Sequence, residues 1–125
     1  MLIKVKTFSL QGVSATPVEV EVDVSGRGVA KSKEDEGKTT IVGLAETVVR
    51  ESAFRVKLAI ANSGFGVPAG DVVVNLAPAD LPKHAASFDL PISLGEIAAS
   101  GQFSSERLAE YAVVGGLALD GSTRP

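Results

Sequence analysis

A chain of 125 residues can enclose one hydrophobic core but not two, so we predict a single domain spanning residues 1–125. A formal net charge of −3 gives no overall field that would attract nucleic acid or an anionic membrane, and the lack of cysteine excludes disulfides, thiolate metal sites and a cysteine nucleophile. No apolar run approaches the roughly 20 residues that span a bilayer. We therefore expect a protein of the reducing cytoplasm with no membrane partner.

The first third of the chain predicts two strands, a long loop and a third, shorter strand. Residues 2–10 and 18–24 alternate apolar and charged side chains, the period of half-buried strands, and the turn residues between them favour an antiparallel pair. The glycine-rich and charged residues 25–38 predict an exposed, mobile loop. Residues 39–42 then predict a short strand.

Residues 44–62 carry the apolar stripe of an amphipathic helix. Its members recur at spacings of three and four: Ala45, Val48, Val49, Ala53, Val56, Ala59 and Ile60. Two acid-first pairs at i,i+4, Glu46 with Arg50 and Glu51 with Arg55, favour ion pairs on the exposed side of this helix. The following Asn-Ser-Gly predicts its end.

The middle of the chain predicts a buried strand and a second helix. Residues 72–76 form a continuous apolar run, which is typical of a strand buried on both faces. An irregular, proline-containing connection follows at residues 77–87. Asp89 predicts the N-cap of a helix that has Pro91 in its first turn and Gly101 just past its end. The predicted core face of that helix consists of Leu90, Leu94, Ile97 and Ala98.

The last part of the chain predicts a hairpin that is only half present. Residues 104–110 favour a brief helical turn and residues 111–119 a strand, and Asp120-Gly121 is a strong hairpin turn signal. Because only four residues follow this turn, we expect the chain to be a piece of a longer polypeptide.

Residues 37–39, Gly-Lys-Thr, resemble the tail of a phosphate-binding loop, in which backbone N–H groups and a lysine hold nucleotide phosphates. That motif needs a glycine where Ser32 stands, and a hydrophobic strand before the loop. The acidic residues 34–36 would also repel a triphosphate. A solvated loop is the better interpretation.

His84 is the only histidine and lies close in sequence to Asp80, Ser87 and Asp89, which raises the possibility of a Ser-His-Asp triad. Residues this close in sequence seldom reach the three positions that such a mechanism needs, so a surface histidine is favoured. Residues 34–36, Glu-Asp-Glu, lack the glycine-containing spacing of a calcium loop.

Two groups of basic residues remain as possible contacts for a partner. Lys31, Lys33 and Lys38 are interrupted by acids and lack interleaved aromatic residues, which favours a solvated loop over a nucleic-acid site. The helix from residue 44 carries Arg50, Arg55 and Lys57, which could contact a partner or form an ordinary solvent face.

The most distinctive sequence is VVNLAPADLPK at residues 73–83, followed by SFDLPI at residues 87–92. It closely resembles the signatures of the ComM/YifB family, also called magnesium-chelatase-like or ChlI-type proteins. IVGL at residues 41–44, VVRES at 48–52 and GGLALDGSTRP at 115–125 resemble further segments of the same family, in the same order. The departures from the family pattern are Ala45, Ala53 and Gly116, together with the more highly charged residues 31–38.

This resemblance implies an α/β (α+β) fold of the ribosomal protein S5 domain 2-like type, as in the Lon protease domain, with two main helices packed on a mixed sheet. It also implies an attached AAA+ ATPase module that binds ATP and Mg²⁺, works as a hexamer and acts in DNA processing such as branch migration during competence. For residues 1–125 themselves it implies a non-catalytic scaffold or interaction domain. We therefore expect no catalytic, cofactor-binding or metal-binding residue in this chain.

A second hypothesis follows from the comparison with Lon. Residues 83–87 align loosely with the Lon segment that carries the nucleophilic serine, which places Ser87 in the nucleophile position of a serine peptidase. Such a serine needs a lysine to accept its proton, and no lysine follows Lys83 in this chain. The scaffold hypothesis is therefore preferred.

Overall fold

The computed structural model describes residues 1–11, 13–78, 85–104 and 106–124, and shows a mixed sheet with two helices on one face. Four strands form the sheet in the order β1-β2-β4-β3, and a separate pair, β5-β6, forms a short hairpin. The elements are β1 Leu2–Gln11, β2 Ser14–Val24, β3 Glu36–Val42, α1 Glu46–Asn62, β4 Gly70–Ala77, α2 Asp89–Ala99, β5 Gly116–Leu117 and β6 Thr123–Arg124. No helix in these described segments is long and apolar enough to cross a membrane.

The pairing of the strands confirms the predicted mixed sheet. β1 and β2 are antiparallel, as expected from their alternating patterns, and β2 is also antiparallel to β4. β3 runs parallel to β4, because α1 carries the chain from one strand back to the start of the other. β3 is thus an edge strand of the described sheet.

The core lies between one face of the sheet and the two helices. All four alternate valines of β2 are buried, whereas Glu19, Glu21 and Asp23 lie on the opposite, solvent-facing side. On that open side, Lys4 Nζ lies 3.8 Å from Glu19 Oε1, and Asn75 Nδ2 donates to Glu21 Oε1 at 2.8 Å. The period-2 prediction for the first two strands is confirmed.

The prediction that the strand at residues 72–76 is buried on both faces is wrong. Val72, Val74 and Leu76 are buried, but Val73 is 43% exposed. Both helices pack on the same face of the sheet, so the other face of β4 meets solvent. A run of apolar residues could not show how many layers cover the strand.

The prediction of an unstructured loop at residues 25–38 is also wrong in its second half. Residues 33–35 form a 3-10 helix, and β3 begins at Glu36, three residues before the predicted strand. The backbone N–H of Lys38 donates to Asp71 Oδ1 at 2.9 Å, and that of Lys31 donates to Asp35 Oδ2 at 2.9 Å. The parallel neighbour β4 supplies partners that the local sequence does not reveal.

The first helix is confirmed, with two corrections. It begins at Glu46, so Ala45, a predicted member of the apolar stripe, precedes the helix and is exposed. Ser52 is fully buried although it is polar. The helix ends at Asn62, and Gly64 adopts a φ of 87°, which a glycine accommodates without strain.

The second helix lies deeper in the molecule than expected. Ile97 and Ala98 are buried as predicted, but Leu90 and Leu94 are only partly buried. A Cβ atom on Gly95 would lie 2.5 Å from Val22 Cγ2, so the glycine allows α2 to approach β2 closely. The predicted end at Gly101 is confirmed by its φ of 80°.

The C-terminal hairpin forms around the predicted turn but is very short. Only Gly116–Leu117 and Thr123–Arg124 pair, instead of the whole segment 111–119. The turn is attached to the end of α1, where Asn62 Nδ2 donates to the carbonyl oxygen of Leu119 at 2.7 Å. The brief helical turn expected before it is present as a 3-10 helix at Leu108–Glu110.

Candidate functional site

Two of the residues suggested for a serine triad, Ser87 and Asp89, lie in the described structure. Asp80 and His84, together with Lys83, lie outside the described residues. Ser87 is exposed in a 3-10 helix, Ala85–Phe88, that leads directly into α2. Asp89, two residues later, points into the protein interior, where it is 0% exposed.

The buried carboxylate of Asp89 is bonded to α1. Ser52 Oγ donates to Asp89 Oδ1 at 2.7 Å, Arg55 Nε donates to Asp89 Oδ2 at 2.6 Å, and Arg55 Nη2 lies 3.5 Å from Oδ1. The hydrogen bond that Arg55 donates to Asp89, with the nearby charges of Asp89 and Glu51, raises the pKa of Arg55 above its usual value. We call Ser52, Arg55 and Asp89 the helix corner.

The helix corner corrects two predictions. Asp89 is the first residue of α2 rather than its N-cap, which is Phe88, and its carboxylate accepts hydrogen bonds from Ser52 and Arg55. Arg55 bonds to Asp89 instead of forming the predicted pair with Glu51. Both outcomes have the same cause. The carboxylate of Asp89 is buried and is stabilised by a cation and hydrogen-bond donors, whereas Glu51 is exposed and is solvated by water.

The Gly-Lys-Thr segment at residues 37–39 is part of β3 and does not form a phosphate-binding loop. A phosphate-binding loop wraps its backbone N–H groups around an anion, but here the N–H of Lys38 donates to the carboxylate of Asp71. The arrangement of these residues does not fit a nucleotide phosphate. The acidic residues 34–36, which precede this segment, also disfavour a nucleotide phosphate.

The basic residues singled out in the sequence are partly neutralised. Lys57 forms an ion pair with Glu36 that joins α1 to β3, and Arg55 belongs to the helix corner. Arg50 forms no ion pair with Glu46 in the described structure, contrary to prediction, and remains available on the surface of α1.

A groove of about 460 Å³ runs between α1 and the edge strand β3. Its walls are largely apolar, and α1, β3, the start of β4 with the residues before it, and a single residue of α2 contribute to them. We call this the α1–β3 groove, and its lining consists of Glu36, Gly37, Lys38, Thr39, Glu46, Val49, Arg50, Ala53, Phe54, Lys57, Val67, Pro68, Gly70, Val72 and Glu96.

Glu96 is the single contribution of α2 to the groove. It is only 6% exposed, and in the described structure its carboxyl group has no hydrogen-bond or ion-pair partner. Burial raises its pKa to about 8. This acid was not predicted, although it lies four residues after Ile92 and three before Ala99, within the buried stripe of α2.

Comparison with known proteins gives the same family as the signature residues. The family model described as subunit ChlI of Mg-chelatase matches residues 20–125. The uncharacterized protein YifB of Escherichia coli is 46% identical over 120 residues, which are 96% of this chain and 22% of that protein. The competence protein ComM of Haemophilus influenzae is 44% identical over 115 residues, 90% of this chain and 21% of that protein.

The extent of these matches defines what is shared. They cover almost the whole chain, including β2 to β6 and the helix corner, whereas the chain spans only about a fifth of the length of the curated relatives it matches. The family model alone covers well over half of the chain. The chain therefore belongs to the magnesium-chelatase-like, ChlI-type family that includes YifB and ComM.

Proposed function

We propose that this chain is a non-catalytic scaffold or interaction domain of a magnesium-chelatase-like AAA+ ATPase. The observation that carries the proposal is the helix corner. The signature acid Asp89 is wholly used in joining α2 to α1 through Ser52 and Arg55, so this part of the signature acts as a structural joint. Both of its carboxylate oxygens accept hydrogen bonds from side chains of α1, which supports a structural role for Asp89 over that of a triad acid.

The wider role is inferred from the relatives. They are much longer than this chain, and the Haemophilus influenzae relative is named a competence protein. We propose that an attached AAA+ module supplies ATP and Mg²⁺ binding, that the complete protein is a cytoplasmic hexamer, and that it acts in DNA processing. The four-stranded mixed sheet with two helices on one face supports an S5 domain 2-like fold, as in the Lon protease domain.

Isothermal titration calorimetry of this chain with ATP and Mg²⁺ tests the non-catalytic part of the proposal. We expect no saturable heat, because residues 37–39 form a strand rather than a phosphate cradle. Saturable binding with micromolar affinity would contradict the proposal.

The scaffold part is tested in the full-length protein by deleting residues 1–125. We expect the deletion variant to retain ATP binding but to lose assembly in analytical ultracentrifugation, or DNA-dependent turnover. A deletion variant that matches the intact protein in all three measurements would show that the domain has no scaffold role. The Asp89→Asn variant of the full-length protein is the matched control. It retains residues 1–125 but destabilises their fold, so it separates the effect of misfolding from the effect of removing the domain.

The serine peptidase hypothesis is not favoured, because the carboxylate nearest to Ser87 in the described sequence, Asp89, is bonded to Ser52 and Arg55. A fluorophosphonate probe followed by mass spectrometry tests this directly. We expect no labelling of Ser87. Labelling that the Ser87→Ala variant abolishes would contradict the scaffold proposal and favour the peptidase.

A further inference from the structure

The α1–β3 groove is lined in part by Glu96, an acid whose carboxyl group has no partner in the described structure. We propose that this groove binds a primary ammonium or guanidinium group carried on an apolar stem, with the Glu96 carboxylate as its anchor. The inference does not rest on the proposed scaffold role, because it concerns a groove that the helix corner does not line.

The carboxyl group of Glu96 is buried and has no partner in the described structure. A carboxyl group that is removed from water without a partner is costly to keep, and buried acids in proteins are normally hydrogen-bonded or paired. Asp89, on the same helix, has a hydroxyl donor and a guanidinium. Glu96 has neither in the described structure, yet it borders a cavity large enough for a ligand.

None of the basic residues that line the groove forms an ion pair with Glu96 in the described structure. Lys57 is paired with Glu36 across the groove, and Lys38 and Arg50 line it without forming an ion pair with Glu96. Because no neighbouring cation offsets it, burial alone raises the pKa of this carboxyl group to about 8. A cation from outside the domain would supply the missing partner.

The walls of the groove are largely apolar and include an exposed aromatic ring. Val49, Ala53, Val72 and Pro68 provide an apolar lining, and Phe54 is exposed by 63% although it is a large aromatic residue. Such walls favour the methylene groups of a stem, and the ring of Phe54 can also attract a cation. The arrangement matches an aliphatic amine better than a compact inorganic ion.

Two sources could supply this chemistry, namely a free organic amine or a lysine or arginine side chain of a protein segment. A second, smaller hollow, lined in part by Thr40 and Ile41, continues the groove along β3. β3 is an edge strand of the described sheet and could pair with an extended segment that inserts such a side chain. The test below distinguishes the two sources.

The proposal has a pH signature. The charged groups that line the groove are Glu36 and Lys38 from β3, and Glu46, Arg50 and Lys57 from α1. None of these residue types ordinarily titrates between pH 6 and 8. Binding of a cation should therefore release the proton of Glu96, and affinity should rise about tenfold for each pH unit between 6 and 7.5.

The experiment is an NMR titration of the ¹⁵N-labelled chain with n-hexylamine and, separately, with the peptide acetyl-Ala-Lys-Ala-amide. The neutral compound 1-hexanol controls for the apolar stem. Glu96→Gln removes the charge but keeps the shape, and Glu34→Gln removes the charge of an exposed acid that does not line the groove. His84 is present in both the wild type and Glu96→Gln. A pH-dependent change that only the wild type shows therefore belongs to Glu96 and not to the histidine.

We expect shifts at groove residues with a Kd at or below about 1 mM for one or both amines, weakened at least about tenfold by Glu96→Gln and less than about threefold by Glu34→Gln. We also expect the pKa of Glu96, followed by ¹³C NMR, to fall when the ligand is added. Binding of the peptide alone would identify a protein segment as the source, and binding of both would show that a free amine suffices. Failure of both amines, or equal binding by Glu96→Gln, would overturn the proposal.

Discussion

The helix α2 carries two buried acids about two turns apart, and the protein treats them in opposite ways. Asp89 accepts hydrogen bonds from Ser52 and Arg55, and its environment is complete. Glu96 is almost as deeply buried but has no partner in the described structure and borders the α1–β3 groove. The difference shows that burial alone does not distinguish a structural acid from a candidate binding residue, whereas the set of partners does.

The largest expected effect comes from breaking the helix corner. Asp89→Asn leaves Arg55 without its carboxylate, and removing one partner of a buried pair costs about 3 to 5 kcal/mol of the free energy of unfolding. Because Arg55 is partly exposed, we expect a value near the lower end of that range. Urea denaturation at pH 7 measures it.

The control for this prediction is Asp23→Asn, which changes an exposed acid of the open sheet face. It should alter the free energy of unfolding by less than about 0.5 kcal/mol. If Asp89→Asn were equally mild, the corner would not be the structural joint described above. Arg55→Met added to Asp89→Asn should recover part of the loss, since it removes the unpaired cation.

Glu96→Gln should increase the free energy of unfolding, whereas Asp89→Asn lowers it. The size of this increase should depend strongly on pH. The pKa of Glu96 is raised from 4.5 to about 8 in the folded state, so the native protein loses stability as pH rises from 4.5 to 8. Relative to wild type, the variant should be equal in stability near pH 4.5 and more stable by about 2 to 4 kcal/mol above pH 8.

Urea denaturation between pH 4.5 and 9 measures this difference, with Glu46→Gln as the matched control. Glu46 is exposed on α1, so its variant should follow the wild-type pH profile. Parallel profiles for wild type and Glu96→Gln would mean that Glu96 has a partner in solution, and the contrast with Asp89 would disappear.

A smaller effect is expected from Ser52→Ala. This variant removes one hydrogen bond to the buried carboxylate of Asp89 but leaves the Arg55 pair in place, so we expect a loss of about 1 to 2 kcal/mol. Chemical denaturation measures the loss, and Ser104→Ala at the surface serves as the control. A loss above that of Asp89→Asn would show that Ser52 acts mainly through packing.

The smallest effect concerns an exposed acid that has partners, which completes the comparison. Both the hydroxyl and the backbone N–H of Ser122 donate to Asp120 Oδ1, at 2.6 Å and 2.8 Å, and these bonds hold the pKa of Asp120 below its usual value. Ser122→Ala should move that pKa back toward 3.8, as followed by ¹³C NMR.

The sign of the accompanying change in stability is opposite to that at Glu96. A lowered pKa contributes stability above pH 3.8 that is lost as the pH falls through the folded-state value. The change should be slight, because Asp120 is exposed and solvent screens it. An unchanged pKa in Ser122→Ala would show that the turn backbone, rather than the hydroxyl, controls this acid.

Much of the fold could be predicted because its signals are local. Alternation at residues 2–10 and 18–24 identified two strands, the spacing of apolar residues identified α1, and Asp120-Gly121 identified a turn. Each of these signals depends only on residues that are close in sequence, within one strand or within one or two turns of a helix. The family was also recognisable, because residues 73–83 form a long and specific signature.

The errors arose where distant residues decide the outcome. Asp89 has the local pattern of an N-cap, but Ser52 and Arg55, 37 and 34 residues away, direct its side chain inward. β3 begins earlier than predicted because the parallel strand β4 provides partners for Glu36 and its neighbours. Val73 is exposed because no layer covers the second face of the sheet in the described structure.

The sequence by itself determined the first two strands, both helices and the family, since those depend on the order of side chains along short stretches of backbone. Only the tertiary structure decided that Asp89 is paired and Glu96 is not. The groove is assembled from α1, β3, the start of β4 and one residue of α2, and no periodic pattern records which of these elements meet. Whether a buried charge is satisfied depends on atoms within a few ångströms in space, and the chain brings those atoms together from positions far apart in sequence.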